Sequence, residues 1–238
     1  MKSKIRILTS VFLIFMMVGC SSRLKYKAPE WKVGDWVEYE VESVQYGPRL
    51  IRYAITGVDT LHGESYYWLE MLSTISKDST STDTIINKML IPYGYRGVAE
   101  RMITKFAKTE TFELPPGDEL SWYPSDENRP YVYSSKEVEE GMISDTLISV
   151  PAGEFSCIHA QVYDIRHSKV GIIEGDSIVN RMKSDTMPVD VWVNDSIPVS
   201  GIVALRSEIE EMKLKNIGHD AKTHIIGEVK VFKSLEFE

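Results

Sequence analysis

Val37-Glu38-Tyr39-Glu40-Val41-Glu42 alternates strictly between apolar and acidic side chains. A strand sends successive side chains to opposite faces, so Val37, Tyr39 and Val41 share one face and the three glutamates share the other. One face is then buried and one wet, which is the mark of an antiparallel sheet. The glutamate row is a solvated face in this reading, not a cation site. The pattern continues outward. Gly47-Pro48 turns the chain, and Ile51, Tyr53 and Ile55 alternate again. His62-Gly63 marks another turn, residues 66–72 are aromatic and strand-like, the polar stretch 73–82 makes a hairpin tip, and 85–91 resumes the strand.

Residues 97–107 break the alternation. Val98, Met102 and Phe106 recur every four residues, as do Ala99, Ile103 and Ala107, with Glu100, Arg101 and Lys105 between them. This spacing predicts one short amphipathic helix covering the core. Leu114-Pro115-Pro116-Gly117-Asp118 is a strong breaker. A long polar and aromatic loop follows to about residue 130, in which Trp122 and Tyr123, with Tyr131 and Tyr133 beyond, offer either a stacking surface for a sugar ring or the loop's own packing. Further strands are expected at 131–138, 142–150, 155–165, 189–193, 202–209 and 223–232, with 168–185 charged and weakly patterned. Asp-Thr or Asp-Ser before an apolar residue recurs at Asp59, Asp83, Asp145, Asp176, Asp185 and Asp195. Asp bonds to nearby backbone amides and sets turns, so these are strand-entry turns. The expected fold is mainly β (α+β): a curved antiparallel sheet or half-barrel with one or two short helices.

The N-terminus reads differently. Lys2, Lys4 and Arg6 precede an apolar run over 7–18, and Gly19-Cys20 ends it. The run is shorter than the about 20 residues that a spanning helix needs, and the layout is that of a secretory signal. With cysteine at the cleavage point it resembles a bacterial lipoprotein signal, which implies that Cys20 becomes the acylated N-terminus and holds the chain to a membrane. The expected organisation is a signal over 1–19, a lipidated Cys20 with a tether over 20–30, and a single β domain over 31–238. Ser21 is not the aspartate that marks inner-membrane retention in enterobacteria, so the resemblance implies the outer membrane, facing the periplasm. Arg23, Lys25 and Lys27 make the tether basic, either as a contact for headgroups or as a solvated linker.

Removing the signal takes Lys+Arg from 27 to 24 against 35 Asp+Glu, a formal charge near −11. Such a domain is not drawn to nucleic acid. Hydrophobic residues make up 43% of the chain, enough to bury a core. With Cys20 acylated, Cys157 has no disulfide partner. It lies in the strand-like Phe155-Ser156-Cys157-Ile158 and reads as a core thiol, not a nucleophile.

Two stretches carry a second resemblance: Val150-Pro151-Ala152-Gly153-Glu154-Phe155-Ser156-Cys157, and Val191-Trp192-Val193-Asn194-Asp195-Ser196-Ile197-Pro198-Val199-Ser200-Gly201-Ile202-Val203. Together with Val33-Gly34-Asp35-Trp36-Val37-Glu38-Tyr39 they resemble uncharacterised bacterial envelope lipoproteins, some of which are grouped with carriers of the Lol type. That resemblance implies a half-barrel around an apolar concavity, closed by a helix or two, and brings no catalytic residue with it.

The chain contains no phosphate loop, dinucleotide fingerprint or nucleophile elbow. Its histidines, His62, His159, His167, His219 and His224, lack zinc spacing, and there is no calcium loop. The sequence therefore names no catalytic residue, metal ligand or cofactor. The first expectation is a lipoprotein that binds an apolar small molecule or an envelope protein in a sheet concavity. The alternatives are a structural component of an envelope assembly, and a glycan- or lipid-directed hydrolase with its cleft at the Trp122 loop.

Overall fold

Two meanders, far apart in sequence, are zipped together by their end strands. The first runs β1 (Trp36–Ser43), β2 (Gly47–Leu61), β3 (Glu64–Ser76), β4 (Thr82–Pro92), β5 (Arg101–Phe106) and β6 (Thr111–Leu114). A short helix, α1 (Ser135–Glu140), leads into the second: β7 (Met142–Val150), β8 (Gly153–Glu174), β9 (Ser177–Val193), β10 (Ile202–Arg206) and β11 (Glu210–Gly218). β11 pairs antiparallel with β1, and the result is one open curved sheet of 12 strands in the order β12-β6-β5-β4-β3-β2-β1-β11-β10-β9-β8-β7, where β12 is Val229–Val231. The computed structural model describes residues 24–44, 46–76, 82–93, 99–106, 111–114, 132–174 and 177–231, without the side chains of 165–184 and of single positions at strand ends.

The alternation in β1 decides which way the sheet faces. Tyr39 lies opposite Ile51 and Leu214, and Val41 opposite Met212, and all five are buried. Glu40 meets water and pairs with Lys215 at 3.2 Å, while Glu38 accepts from Asn216 Nδ2 at 2.9 Å. Bulges between Glu38 and Tyr39 and between Ile55 and Gly57 add local twist, which helps the sheet curl round its inner face. Val162, Val189, Val191, Val193 and Leu205 continue the same core across the second meander.

Several elements depart from the sequence reading. Residues 101–106 form a strand, not a helix; the rest of the expected helix lies partly outside the described residues. The physical reason is that four is an even number. Residues spaced by four share a helix face and also share a strand face, so the pattern did not discriminate. Met102, Ile103 and Thr104 are all buried, as in a strand covered on both sides. The helix forms instead at 135–140, overlapping the end of the expected strand 131–138. Ser134 caps it and Glu137 completes the capping box, an S-x-x-E signature. The charged stretch 168–185 belongs to the long β8–β9 hairpin, paired from Ile158↔Val193 to Glu174↔Ser177. Glu210–Gly218, unassigned in the sequence reading, is the strand that joins the two halves. The expected strand at 223–232 is a three-residue strand only, parallel to β6, so the sheet is not wholly antiparallel.

Residues 24–31, before β1, are part of the packed body. Tyr26, Pro29 and Trp31 are buried, so the segment expected to be a tether up to residue 30 is docked from Tyr26 onward.

Candidate functional site

The inner face is the place where a half-barrel would take a ligand. Here it is covered by the chain itself. Residues 24–31 form a strap fixed at four points. Leu24 N donates to Asp145 Oδ2 on β7 at 3.4 Å and Ala28 N to Ser135 Oγ on α1 at 3.4 Å. Pro29 O accepts from the Tyr93 hydroxyl at 2.7 Å, and Trp31 Nε1 donates to Val199 O at 2.7 Å. The Trp31 ring meets Tyr67 and Tyr93 edge-on, with centroids 5.5 and 5.4 Å away. Such pairs favour one geometry over a slippery apolar contact.

The 194–201 segment lies beneath the strap. Asn194 Oδ1 accepts from Ser196 N at 2.8 Å, an Asx turn. Val199 and Gly201 then take left-handed backbone, at φ 64° and 73°. A side chain at Gly201 would run into the Tyr26 hydroxyl and Pro29, so glycine is what lets strap and loop touch. Tyr39 reaches up from β1, donates to Ile202 O at 2.9 Å and bonds the Ser200 hydroxyl. Burial pushes the phenols of Tyr39 and Tyr26 upward, so both stay neutral. Ile197, Val199, Ile202 and Val203 are fully buried around them, with Val138 of α1. A cavity of about 340 Å³ lies beside the strap, but Lys27, Glu30, Lys32, Asp35, Asp195 and His219 are among its walls, so it is charged, not oily. A larger one of about 550 Å³ lies between the 43–48 and 206–211 turns and is walled partly by Glu42, Glu208, Glu210 and Glu211.

A cluster of titratable groups lies on the outer face. Residues 219–228 cross that face from β11 to the far edge, where β12 pairs with β6. Glu70 on β3 is 2% exposed and holds the crossing. It accepts from Thr223 Oγ1 at 2.6 Å and from His224 N at 3.0 Å, and faces His224 Nδ1 at 2.6 Å. Lys88 Nζ donates to Thr223 Oγ1 at 3.3 Å, and burial lowers the lysine's pKa. Asp35 pairs with His219 Nδ1 at 2.7 Å, and Trp36 Nε1 donates to Asp220 Oδ1 at 2.9 Å.

Hydroxyl, imidazole and carboxylate are thus together, but they are wired as a clamp. The Thr223 hydroxyl donates to the carboxylate, not to the imidazole. The other edge of His224, Nε2, faces the Arg52 guanidinium at 3.5 Å and not a hydroxyl or thiol. Nucleophilic catalysis needs the base to face the hydroxyl. The cluster holds the C-terminal crossing in place.

Cys157 is fully buried, its thiol pointing to Phe155 O at 3.5 Å, and burial pushes its pKa up to about 12. It is a core thiol. His159 stacks on Trp192 at 4.6 Å and bonds Asp190 at 3.1 Å, while His62 sits in a turn at φ 54°. Among the described residues no group of three or more His, Cys, Asp or Glu could hold a metal. Cys20 and the Trp122 loop lie outside the described residues, as does the His167 side chain. Sequence reasoning missed Glu70, whose only signal was an acidic residue between Leu69 and Met71 in an otherwise apolar strand.

No family model matches the chain, and no curated protein matches it. Among solved structures, a "putative lipoprotein" from Parabacteroides distasonis is similar at 12% identity, over 81% of this chain and 100% of that one, with a TM-score of 0.36. A "putative exported protein with YmcC-like fold" from Bacteroides fragilis is similar at 10% identity, over 82% and 99%, with a TM-score of 0.35. Both scores are too low to carry an argument about fold or function.

Proposed function

We propose that the chain is a bacterial envelope lipoprotein, anchored through acylated Cys20, that works as a pre-packed docking body at the membrane and not as a carrier. The observation behind this is the strap. A carrier needs its concavity empty, and here Tyr26, Trp31 and the 197–203 segment occupy the inner face. Opening it would expose Trp31 and break its bond to Val199. An envelope protein bound on an outer surface fits this arrangement better than an apolar ligand within.

The anchor sets the working distance. Cys20 and Tyr26 are six residues apart, so the packed domain is held within roughly 20 Å of the acylated residue. Two or more acyl chains make such anchorage lasting. The outer membrane, facing the periplasm, is the location that Ser21 favours.

Native mass spectrometry of the protein from envelope fractions, with lipid extraction, tests the reading. The expected result is a protein mass carrying the covalent acyl groups and nothing else. A stoichiometric non-covalent lipid would restore the carrier reading. Cys20→Ser is expected to move the protein from the detergent phase to the aqueous phase, and sucrose-gradient fractionation distinguishes the two membranes.

A further inference from the structure

We propose that the edge strand β7 is a membrane-contact surface, its exposed leucine and isoleucine side chains resting in the lipid interface beside the anchor. The proposal rests on the anchoring at Cys20 proposed above.

The starting point is where the strap begins. Leu24 is the first described residue, and its backbone N–H is bonded to Asp145 Oδ2 on β7. Cys20 is four residues earlier, so the acylated residue lies within about 14 Å of Leu24. The anchor therefore enters the bilayer close to β7 whatever path residues 20–23 take. Among the described residues β7 is the last strand of the sheet and pairs with β8 alone. It carries Leu147 at 65% and Ile143 at 58% exposure, and Leu24 beside it is 42% exposed. Leu147 is two residues beyond Asp145, about 7 Å along the strand and on the same side. Ile143 lies in the bulge between Met142 and Ser144, on the same edge strand but out of the alternation that places Asp145 and Leu147 on one side.

Large apolar side chains exposed along a sheet edge would ordinarily be an aggregation hazard. Next to an acyl anchor they have an occupant. Aliphatic side chains at the headgroup boundary gain by burial there, and the anchor holds them at high effective concentration. The contact is apolar in character. Asp145 sits within the patch, Glu139 and Glu140 are exposed on α1 nearby, and Lys27 is paired with Glu30 at 2.7 Å, so anionic lipid is not what recruits the surface. Lys25 is left exposed at its edge.

The test uses the acylated full-length chain in phosphatidylcholine–phosphatidylethanolamine vesicles. Leu147→Cys and Ile143→Cys are labelled with an environment-sensitive fluorophore; acylation blocks Cys20 and burial protects Cys157. Controls are Val58→Cys on β2 and Ile226→Cys on the outer crossing, exposed by 50% and 80%. The expected result is a blue shift and at least threefold stronger quenching by bromolipid for labels at 147 and 143 than at 58 and 226, unchanged on adding phosphatidylglycerol. Equal quenching at all four positions, in vesicles that retain the acylated protein, overturns this proposal alone. A blue shift at 147 in lipid-free Cys20→Ser protein, together with a dimer mass, assigns β7 to a second copy and overturns it. An intact mass without acyl groups removes the anchor and both readings with it.

Discussion

Replacing Trp31 by alanine tests whether the strap is structural. The indole is 5% exposed, donates to Val199 O, and packs edge-on against Tyr67 and Tyr93. A tryptophan buries roughly 200 Å², which at 25 cal/mol per Å² is about 5 kcal/mol of transfer free energy. The strap lies at the edge of the core and can partly collapse, which reduces the loss to about 4 kcal/mol, within the usual range for Trp→Ala. Trp31→Phe keeps most of the ring and strands the Val199 carbonyl, so it costs about 1–2 kcal/mol. Urea unfolding of the Cys20→Ser protein and of these variants in that background gives both values. Limited trypsin digestion should show cleavage at Lys25 and Lys27 rising tenfold or more in Trp31→Ala, since the strap that carries them is released. A loss under 1 kcal/mol, with no new cleavage, would refute the reasoning: the strap would then be a removable cover, and the inner face would be open to a ligand after all.

Tyr26 in the strap and Tyr39 beneath it should respond in opposite directions. Tyr26 OH is buried with no hydrogen-bond partner among the described residues, so Tyr26→Phe is expected to be neutral or to stabilise by up to about 2 kcal/mol. Tyr39→Phe removes the bonds to Ser200 and Ile202 and should cost about 1–3 kcal/mol in the same urea assay. On the outer face, Glu70→Ala strands the Thr223 and His224 donors and should cost about 3 kcal/mol. A double-mutant cycle with His224→Ala should return a coupling of roughly 1–2 kcal/mol, and hydrogen exchange should quicken at residues 223–231. Cys157 has a folded pKa raised above its ordinary value, so its neutral thiol contributes stability that is complete below about pH 9 and lost as pH climbs toward about 12. Cys157→Ala should therefore flatten the alkaline limb of stability against pH, and the native thiol should stay unreactive to thiol reagents at pH 8 until the protein unfolds.

The strand alternation at 37–42 determined by itself that this chain makes a half-wet antiparallel sheet, because a period of two leaves no other way to bury Val37, Tyr39 and Val41 together. The same rule failed at 97–107, where a spacing of four satisfies helix and strand alike. It also failed at 134–137, where a capping box was present but lay under an aromatic stretch that resembled strand. In both cases local pattern was ambiguous, and pairing with a neighbour decided: β4 took residues 101–106 as a strand, and the Ser134–Glu137 box turned 135–140 into a helix.

Long-range connections were legible only in the fold. Nothing near Glu210 announces that β11 will pair with β1 across more than 160 residues, since register depends on two distant apolar rows matching. Glu70 shows why the outer clamp was hidden: a carboxylate in a strand is solvated by default, and only the return of Thr223 and His224 gives it donors and a reason to be buried. The strap shows the same thing on the inner face. Lys25-Tyr26-Lys27-Ala28-Pro29 has the composition of a linker, and composition is all that a linker reveals. Its burial follows from Gly201 leaving room for Tyr26, and from a Val199 carbonyl turned outward by left-handed backbone to meet Trp31. The sequence set the periodicity of the strands. The tertiary structure decided that the hollow of the sheet is filled, because which apolar segment packs against which face depends on contacts between residues that only folding brings together.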